Sequence, residues 1–502
     1  MATFQILGSV IDSKTSGQVS GLRVEAWDKD LIINDLVGSA VTDERGNFHI
    51  EFDESYFQEL FADRQPDLFF RIFRDNQLLK STEDSVLWQV APGQTQVLIE
   101  IELYNQENLY NKFLQAAAGG VEDHPVLLYY GIQKSPYQEQ IRDYPSRLKQ
   151  KPDGKTVVST PQADARFSDY PALGQVPEID EQGLEFLHEE IKEACVCISS
   201  FTEGGIKTKW LGRNALSNQE FWSGSKIIPP LYMACQINAK SAAININNCN
   251  IRGADEAGTQ RDIPVIDLVR EVVSYAESIA TSNSLAAMFK RFAPQIELEN
   301  WLKSITGNHS LIFRGRYGEK PFIEQPELVD RTTQQTILTA DPQPPEWGNN
   351  TISAYDLNRL ISMLGWHNSL PDTSRLPNAQ WHNLEAIITA LGSDPARLVD
   401  LAIAELGLQN AIDSMVIISK LGNGATQFRN RTEAVYIALV QFVKLNLQDA
   451  SQPAQQIAIS MALRGAKVLE PRDLDQEVVE LDAGMAAEVT EIVRRAVMKE
   501  WK

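Results

Sequence analysis

Over the first hundred residues, apolar positions come in short runs separated by turn formers. The runs occupy residues 4–11, 22–27, 38–42, 47–52, 68–73 and 96–103. Within the second run, Leu22, Val24 and Ala26 alternate with Arg23, Glu25 and Trp27, the period of a strand with one buried and one wet face. Asp43-Glu44-Arg45-Gly46-Asn47 and Ala91-Pro92-Gly93 mark turns between the runs. The pattern predicts an all-β sandwich over residues 1–104. From 105 to 180 both periodicities fade and prolines recur at 125, 136, 145, 152, 161, 171 and 177. A Pro-rich linker is expected there. It should be partly ordered, because Val126-Leu127-Leu128-Tyr129-Tyr130 is too apolar to be left in water.

From 181 onward helix and strand patterns mix. Leu184, Leu187, Ile191 and Ala194 fall at helical spacing, and residues 195–201 read as a strand. A helix-rich stretch is expected over about 226–410, followed by strands around 415–418 and 435–440. The last segment, 485–497, reads as an amphipathic helix through Val489, Ile492, Val493 and Val497. Strands near both ends of 181–502, with helices between them, predict an α/β (α+β) domain whose sheet is interrupted by a long helical insertion. The chain as a whole is therefore expected to be multidomain.

Composition narrows the function. Hydrophobic residues make up 43%, enough for a sizeable core. The formal net charge of −21, from 67 acidic and 46 basic residues, argues against nonspecific binding to nucleic acid or anionic lipid. No apolar run is long enough to span a bilayer, so no membrane insertion is expected. The start, Met1-Ala2-Thr3-Phe4, shows no secretory signal pattern, so the expected compartment is the cytoplasm, with non-classical export as the other route. Cys195, Cys197, Cys235 and Cys249 lack the spacing of a zinc site or disulfide framework and are expected to be buried thiols. There is no HExxH, and neither metal nor cofactor is expected. A Gly-x-Ser-x-Gly elbow, a Walker A loop and a dinucleotide fingerprint are all absent.

The candidate chemistry begins at Phe221-Trp222-Ser223-Gly224-Ser225-Lys226. Ser-x-x-Lys at a helix start puts both side chains on one face, with the serine near N–H groups that favour developing negative charge. A lysine with a lowered pKa could take the serine proton. An ordinary capped helix start would use the same residues. Three further segments follow in order. Ala280-Thr281-Ser282-Asn283 precedes small residues that open a helix. Thr351-Ile352-Ser353-Ala354-Tyr355-Asp356-Leu357 opens another. Ile418-Ser419-Lys420-Leu421-Gly422 ends a strand.

Taken together, this set resembles the β-lactamase and penicillin-binding-protein family of serine hydrolases, with its Ser-x-x-Lys, Ser-Asp-Asn and Lys-Thr-Gly elements. The resemblance covers about 181–502. It implies an antiparallel sheet with a helical subdomain, Ser223 as nucleophile and Lys226 as base. Thr281 would stand for the middle serine and relay a proton to the leaving group. Asn283 would hold a substrate amide, and Lys420 a substrate carboxylate. The N–H of Ser223 and one after Gly422, near Gly424 or Ala425, would form the oxyanion hole. The implied substrate is a small molecule or peptide, an amide or ester with a D-amino-acid terminus or a β-lactam.

Two departures stand out. Leu421 replaces a hydroxyl residue. Gln325, in Glu324-Gln325-Pro326-Glu327-Leu328, falls where class A enzymes place their deacylating glutamate, leaving Glu324 or Glu327 as substitutes. The alternative is a degenerate, non-catalytic binding module. Arg429 and Arg431 would bind a carboxylate or sit in surface ion pairs. Separately, Thr42-Asp43-Glu44-Arg45-Gly46-Asn47-Phe48 resembles the turn of transthyretin-like, carboxypeptidase-regulatory-like sandwiches. That resemblance implies an accessory module with a possible protein partner.

Overall fold

A computed structural model describes residues 3–29, 34–53, 65–74, 77–118, 131–159, 167–424, 430–447 and 451–501. The chain divides into two compact units. One comprises residues 1–106 with Ile403–Ala411, and the other residues 107–402 with 412–502.

Among its described residues the first unit holds seven strands: β1 (Thr3–Asp12), β2 (Arg23–Asp28), β3 (Asp35–Val41), β4 (Asn47–Asp53), β5 (Leu68–Arg74), β6 (Gln77–Ser81) and β7 (Gly93–Ile101). They form two sheets, β4-β1-β7 and β3-β2-β5-β6. One apolar cluster takes side chains from both, among them Phe4, Ile6, Val24, Phe48 and Phe70. Alternation along β4 buries Phe48, Ile50 and Phe52 and exposes the residues between. Of the seven strands, β6 was not expected. It is short, and only two of its five residues are hydrophobic, Leu78 and Leu79, flanked by Gln77, Lys80 and Ser81.

The second unit is built on β8 (Ile191–Thr202), β9 (Gly205–Arg213), β10 (Ile412–Gly424), β11 (Thr432–Lys444) and β12 (Ala454–Lys467). Their order is β9-β8-β12-β11-β10, with every neighbouring pair antiparallel. Residues 432–442 of β11 are all buried, so both faces of the sheet are covered. On one face, Gly365 of helix Ala354–Gly365 packs against Leu439. Leu439 pairs with Ser460, whereas Gly465, five residues on and so on the opposite face, packs against Leu481 of the C-terminal helix Leu474–Met498. That helix starts eleven residues before the expected one. Ser353-Ala-Tyr-Asp-Leu is a capping box: Ser353 Oγ accepts from Asp356 N at 3.1 Å, and Asp356 Oδ2 accepts from Ser353 N at 2.9 Å.

Three expectations need correction. Residues 107–180 belong to the second unit and are not a linker, because Tyr144, Leu148 and Tyr170 join its core. The segment Val126–Tyr130 lies outside the described residues. Leu184 and Leu187 lie on turns and Ile191 and Ala194 on β8, so their helical spacing reflects burial without a helix. The stretch 226–410 is not purely helical. It holds a four-stranded antiparallel sheet of Gln260–Pro264, Cys249–Ala254, Glu327–Asp330 and Thr336–Thr339. Among the described residues, no helix is long and apolar enough to cross a membrane.

Candidate active site

Ser223 lies in a 3₁₀ turn, Trp222–Ile227, that runs directly into helix Ile228–Lys240. Pro229 and Pro230 fit the first turn of that helix, where backbone N–H groups need no intrahelical acceptor. In a 3₁₀ turn, side chains three apart eclipse each other, so Ser223 and Lys226 project to the same side. The turn is seated on the sheet through Gly224, where an added methyl would come within 2.7 Å of Ile437 and 2.9 Å of Val435. Trp222, just before the serine, has φ of 45°, a left-handed conformation that is costly for a bulky residue. Its indole Nε1 donates to Glu433 Oε2 at 2.8 Å, which helps hold that geometry. Glu433 in turn pairs with Arg464, itself paired with Glu193, all three being buried.

Ser223 and Lys226 line one cleft of about 1100 Å³, together with Tyr275, Ser282, Asn283 and Asn423. Lys226 is 2% exposed, and its Nζ donates to Ser282 Oγ at 2.8 Å. Burial, then the nearby Lys420 cation, lowers the Lys226 pKa to about 6, against the opposing fields of Glu319 and Glu277. The Tyr275 and Tyr317 rings lie 5.6 and 5.8 Å from Lys226 Nζ. Tyr317 OH donates to Ser225 O at 3.2 Å. The cleft wall behind Tyr317 is fastened by buried Lys290, which donates to Gly315 O at 2.8 Å and Asn350 Oδ1 at 2.9 Å. Enclosure holds the Lys290 pKa well below its ordinary value.

Thr281, expected in the relay, sits elsewhere. It caps helix Ser282–Phe289, with Oγ1 accepting from Ser284 N at 3.2 Å and donating to Glu319. The next residue, Ser282, takes the place beside Lys226. Asn283 does line the cleft, and its Nδ2 donates to Glu319 Oε1 at 2.7 Å. Lys420, expected to meet a substrate carboxylate, is fully buried. Its Nζ donates to Tyr275 OH at 2.6 Å and Leu421 O at 3.1 Å. Burial lowers the Lys420 pKa and raises that of its neighbour Asp394. Leu421 is buried too, on the opposite face of β10.

Gly422 faces the nucleophile turn: an added methyl would lie 2.9 Å from Ser223 N and 2.8 Å from Gly224 N. Gly424 lies under the Trp222 ring, at 2.1 Å by the same measure, so it serves as a seat for the indole, and Asn423 lines the cleft between the two glycines. Ala425 and Arg429 lie outside the described residues, and Arg431 pairs with Glu433. Glu324 and Glu327 do not line the cleft: Glu324 reaches Arg291 at 3.3 Å, and Glu327 is exposed at the start of its strand. Among the described residues, no group of three or more His, Cys, Asp or Glu side chains is gathered where a metal could sit.

No protein-family model matches the chain, and no curated protein matches it in sequence. Among solved structures, it is similar to a 9R-lipoxygenase from Cyanothece at TM-score 0.16 and 19% identity, over 23% of this chain and 22% of that one. It is similar to a β-lactamase from Desulfarculus baarsii at TM-score 0.34 and 14% identity, over 62% of this chain and 96% of that one. A peptidoglycan synthetase from Bifidobacterium adolescentis follows at TM-score 0.31 and 11% identity, over 64% and 58%. The chain thus spans less than two thirds of the lipoxygenase and of the synthetase.

Sequence reasoning missed Ser282, Tyr275 and Glu319 in these positions. Ser282 had a signal, since a hydroxyl residue next to an N-cap is an equal candidate for the relay. Tyr275 and Glu319 belong to no motif and reach the site only through the fold.

Proposed function

We propose that the protein is a serine hydrolase that forms an acyl-enzyme on Ser223. The observation that carries this reading is the hydrogen bond from Lys226 Nζ to Ser282 Oγ inside the cleft onto which Ser223 opens. Above about pH 6 Lys226 is largely neutral and can accept a proton. Ser223 Oγ attacks the carbonyl carbon of an ester or amide, and its proton passes to Lys226. The tetrahedral oxyanion is held by Ser223 N–H and by the edge of β10 beside Asn423. As the intermediate collapses, the proton travels from Lys226 through the Ser282 hydroxyl to the leaving oxygen or nitrogen, and the acyl group stays on Ser223. Water then releases the acid. Asn283 orients the acyl side, with Glu319 fixing its amide.

The test is intact-mass spectrometry after exposure to a fluorophosphonate and, separately, to a fluorescent penicillin. A stoichiometric adduct with either probe, absent in Ser223→Ala, is expected. Folded protein that takes up neither probe, nor any of a small panel of esters, would leave the cleft as a binding site only.

A further inference from the structure

We infer that Tyr317 is a positioning residue for the proposed base: its ring keeps water from Lys226, and its hydroxyl holds the turn that carries both Ser223 and Lys226. This deepens the serine-hydrolase reading above and rests on it. Lys226 lines a cleft of about 1100 Å³ and yet is only 2% exposed, so its amino group must be covered by side chains. The Tyr275 and Tyr317 rings stand 5.6 and 5.8 Å from Nζ, and both line the cleft. Tyr275 is tied to β10 through Lys420 and Leu421. Tyr317 is tied to the nucleophile turn itself. Its OH donates to Ser225 O at 3.2 Å and lies 3.4 Å from Ser225 Oγ. Ser225 stands between Ser223 and Lys226 in one 3₁₀ turn, so a grip on it holds both. Burial raises the Tyr317 pKa, which keeps its hydroxyl a donor.

The backbone is arranged to deliver this side chain. Tyr317 has φ of 61°, a left-handed conformation that is costly for a bulky residue. Gly315, two positions earlier, is pinned on both sides. Its N–H donates to Asn350 Oδ1 at 2.8 Å, and its carbonyl accepts from buried Lys290 at 2.8 Å. An aromatic ring acts on a neighbouring amine in two opposed ways: its face attracts the ammonium form, and its bulk removes the water that stabilises that form. At 5.8 Å the attraction is close to its limit of about 6 Å. Burial is the largest influence on Lys226, so exclusion of water prevails. The charged groups that face Lys226 are Lys420 on β10, Glu277 in the segment before helix Ser282–Phe289, and Glu319. Glu319 is held separately by Thr281 and Asn283, so a change at residue 317 leaves these charges in place.

The test is the pH dependence of Ser223 labelling by a fluorophosphonate on the full chain, with Lys226→Ala as the control that removes the pH step. Tyr317→Phe keeps the ring and loses the hydroxyl. Its rate should fall by about 3- to 10-fold, with the midpoint still near pH 6. Tyr317→Gly removes the ring and suits the left-handed backbone, and its midpoint should rise to at least about pH 7. Tyr317→Asn, which also tolerates that backbone, takes its place where the glycine variant does not fold. A ring-less variant that labels with its midpoint unmoved would overturn the inference and leave the hydrolase reading standing. An undiminished rate in Tyr317→Phe would overturn the part given to the hydroxyl. Folded parent protein that takes up no fluorophosphonate would overturn both readings together.

Discussion

Lys226 ties the chemistry to pH in two separable ways. Acylation needs its neutral form, so the rate should rise as pH passes through about 6 and level off above it, read as the rate of Ser223 labelling. Lys226→Ala should cut that rate by about 10²–10⁴-fold without moving the fold. The same burial costs stability. The folded-state value of about 6 lies below the ordinary 10.5, so between these limits the unfolded chain binds more protons and stability rises with pH. Below about 6 the cost is fully present. Lys226→Met should therefore stabilise the protein by roughly 1–2 kcal/mol near pH 6, with the gain fading toward alkaline pH, as measured by thermal unfolding across that range. At this scale the sequence was partly legible. Ser223 and Lys226 could be found because one helical turn fixes their spacing. Thr281 and Ser282 could not be ranked, because both carry a hydroxyl and only the N-cap decides which one faces the lysine. Tyr275 reaches Lys420 across 145 positions of chain, a distance no local pattern encodes.

Strand β10 shows how an element carries the site. Its two glycines face the nucleophile turn, but they meet different obstacles. A methyl at residue 422 would strike the backbone of Ser223 and Gly224, which cannot yield without moving the nucleophile. A methyl at residue 424 would strike the Trp222 ring, which can swing only by giving up Glu433. Gly422→Ala should therefore cost about 1–3 kcal/mol and abolish most Ser223 labelling. Gly424→Ala should displace the indole, seen as a change in near-ultraviolet circular dichroism, with labelling weakened less. Equal loss of labelling in both would mean that Trp222 itself sets the serine's position. In the second unit β8, β10 and β11 were legible because their apolar runs are uninterrupted, whereas β9 and β12 were not expected. The segment from 107 to 180 was not legible, because proline signals irregular backbone and irregular backbone can still be buried. Tyr144 is fully enclosed although Pro145 follows it. The helical spacing of Leu184, Leu187, Ile191 and Ala194 misled for the converse reason, since a turn followed by a strand can bury residues three or four apart.

At the scale of the whole molecule, the first unit takes in residues 1–106, yet it is not one continuous piece of chain. Nine residues from far downstream, Ile403–Ala411, complete it. Gly17 lies so close to Leu406 O that a side chain there would clash, Gln18 N donates to Gly407 O at 3.3 Å, and Asn410 Nδ2 donates to Glu44 O at 3.1 Å. Nothing in the sequence separates these residues from the helix Leu398–Glu405 that leads into them, because Leu406 and Leu408 look like any apolar helix end. The consequence is testable by truncation. A fragment of 107–502 keeps Ser223 and its cleft but lacks the rest of the unit to which Leu406 and Leu408, 1% and 0% exposed in the full chain, belong. Such a fragment should self-associate, as seen by light scattering, and Leu406→Ser with Leu408→Ser should suppress that association. In the full chain the same pair should instead destabilise the first unit by about 2–5 kcal/mol while Ser223 labelling persists. A fragment that stays monomeric without the serines would mean that residues 1–106 are not what buries these leucines. The opposite signs expected in the two settings distinguish a lost partner from a general loss of fold.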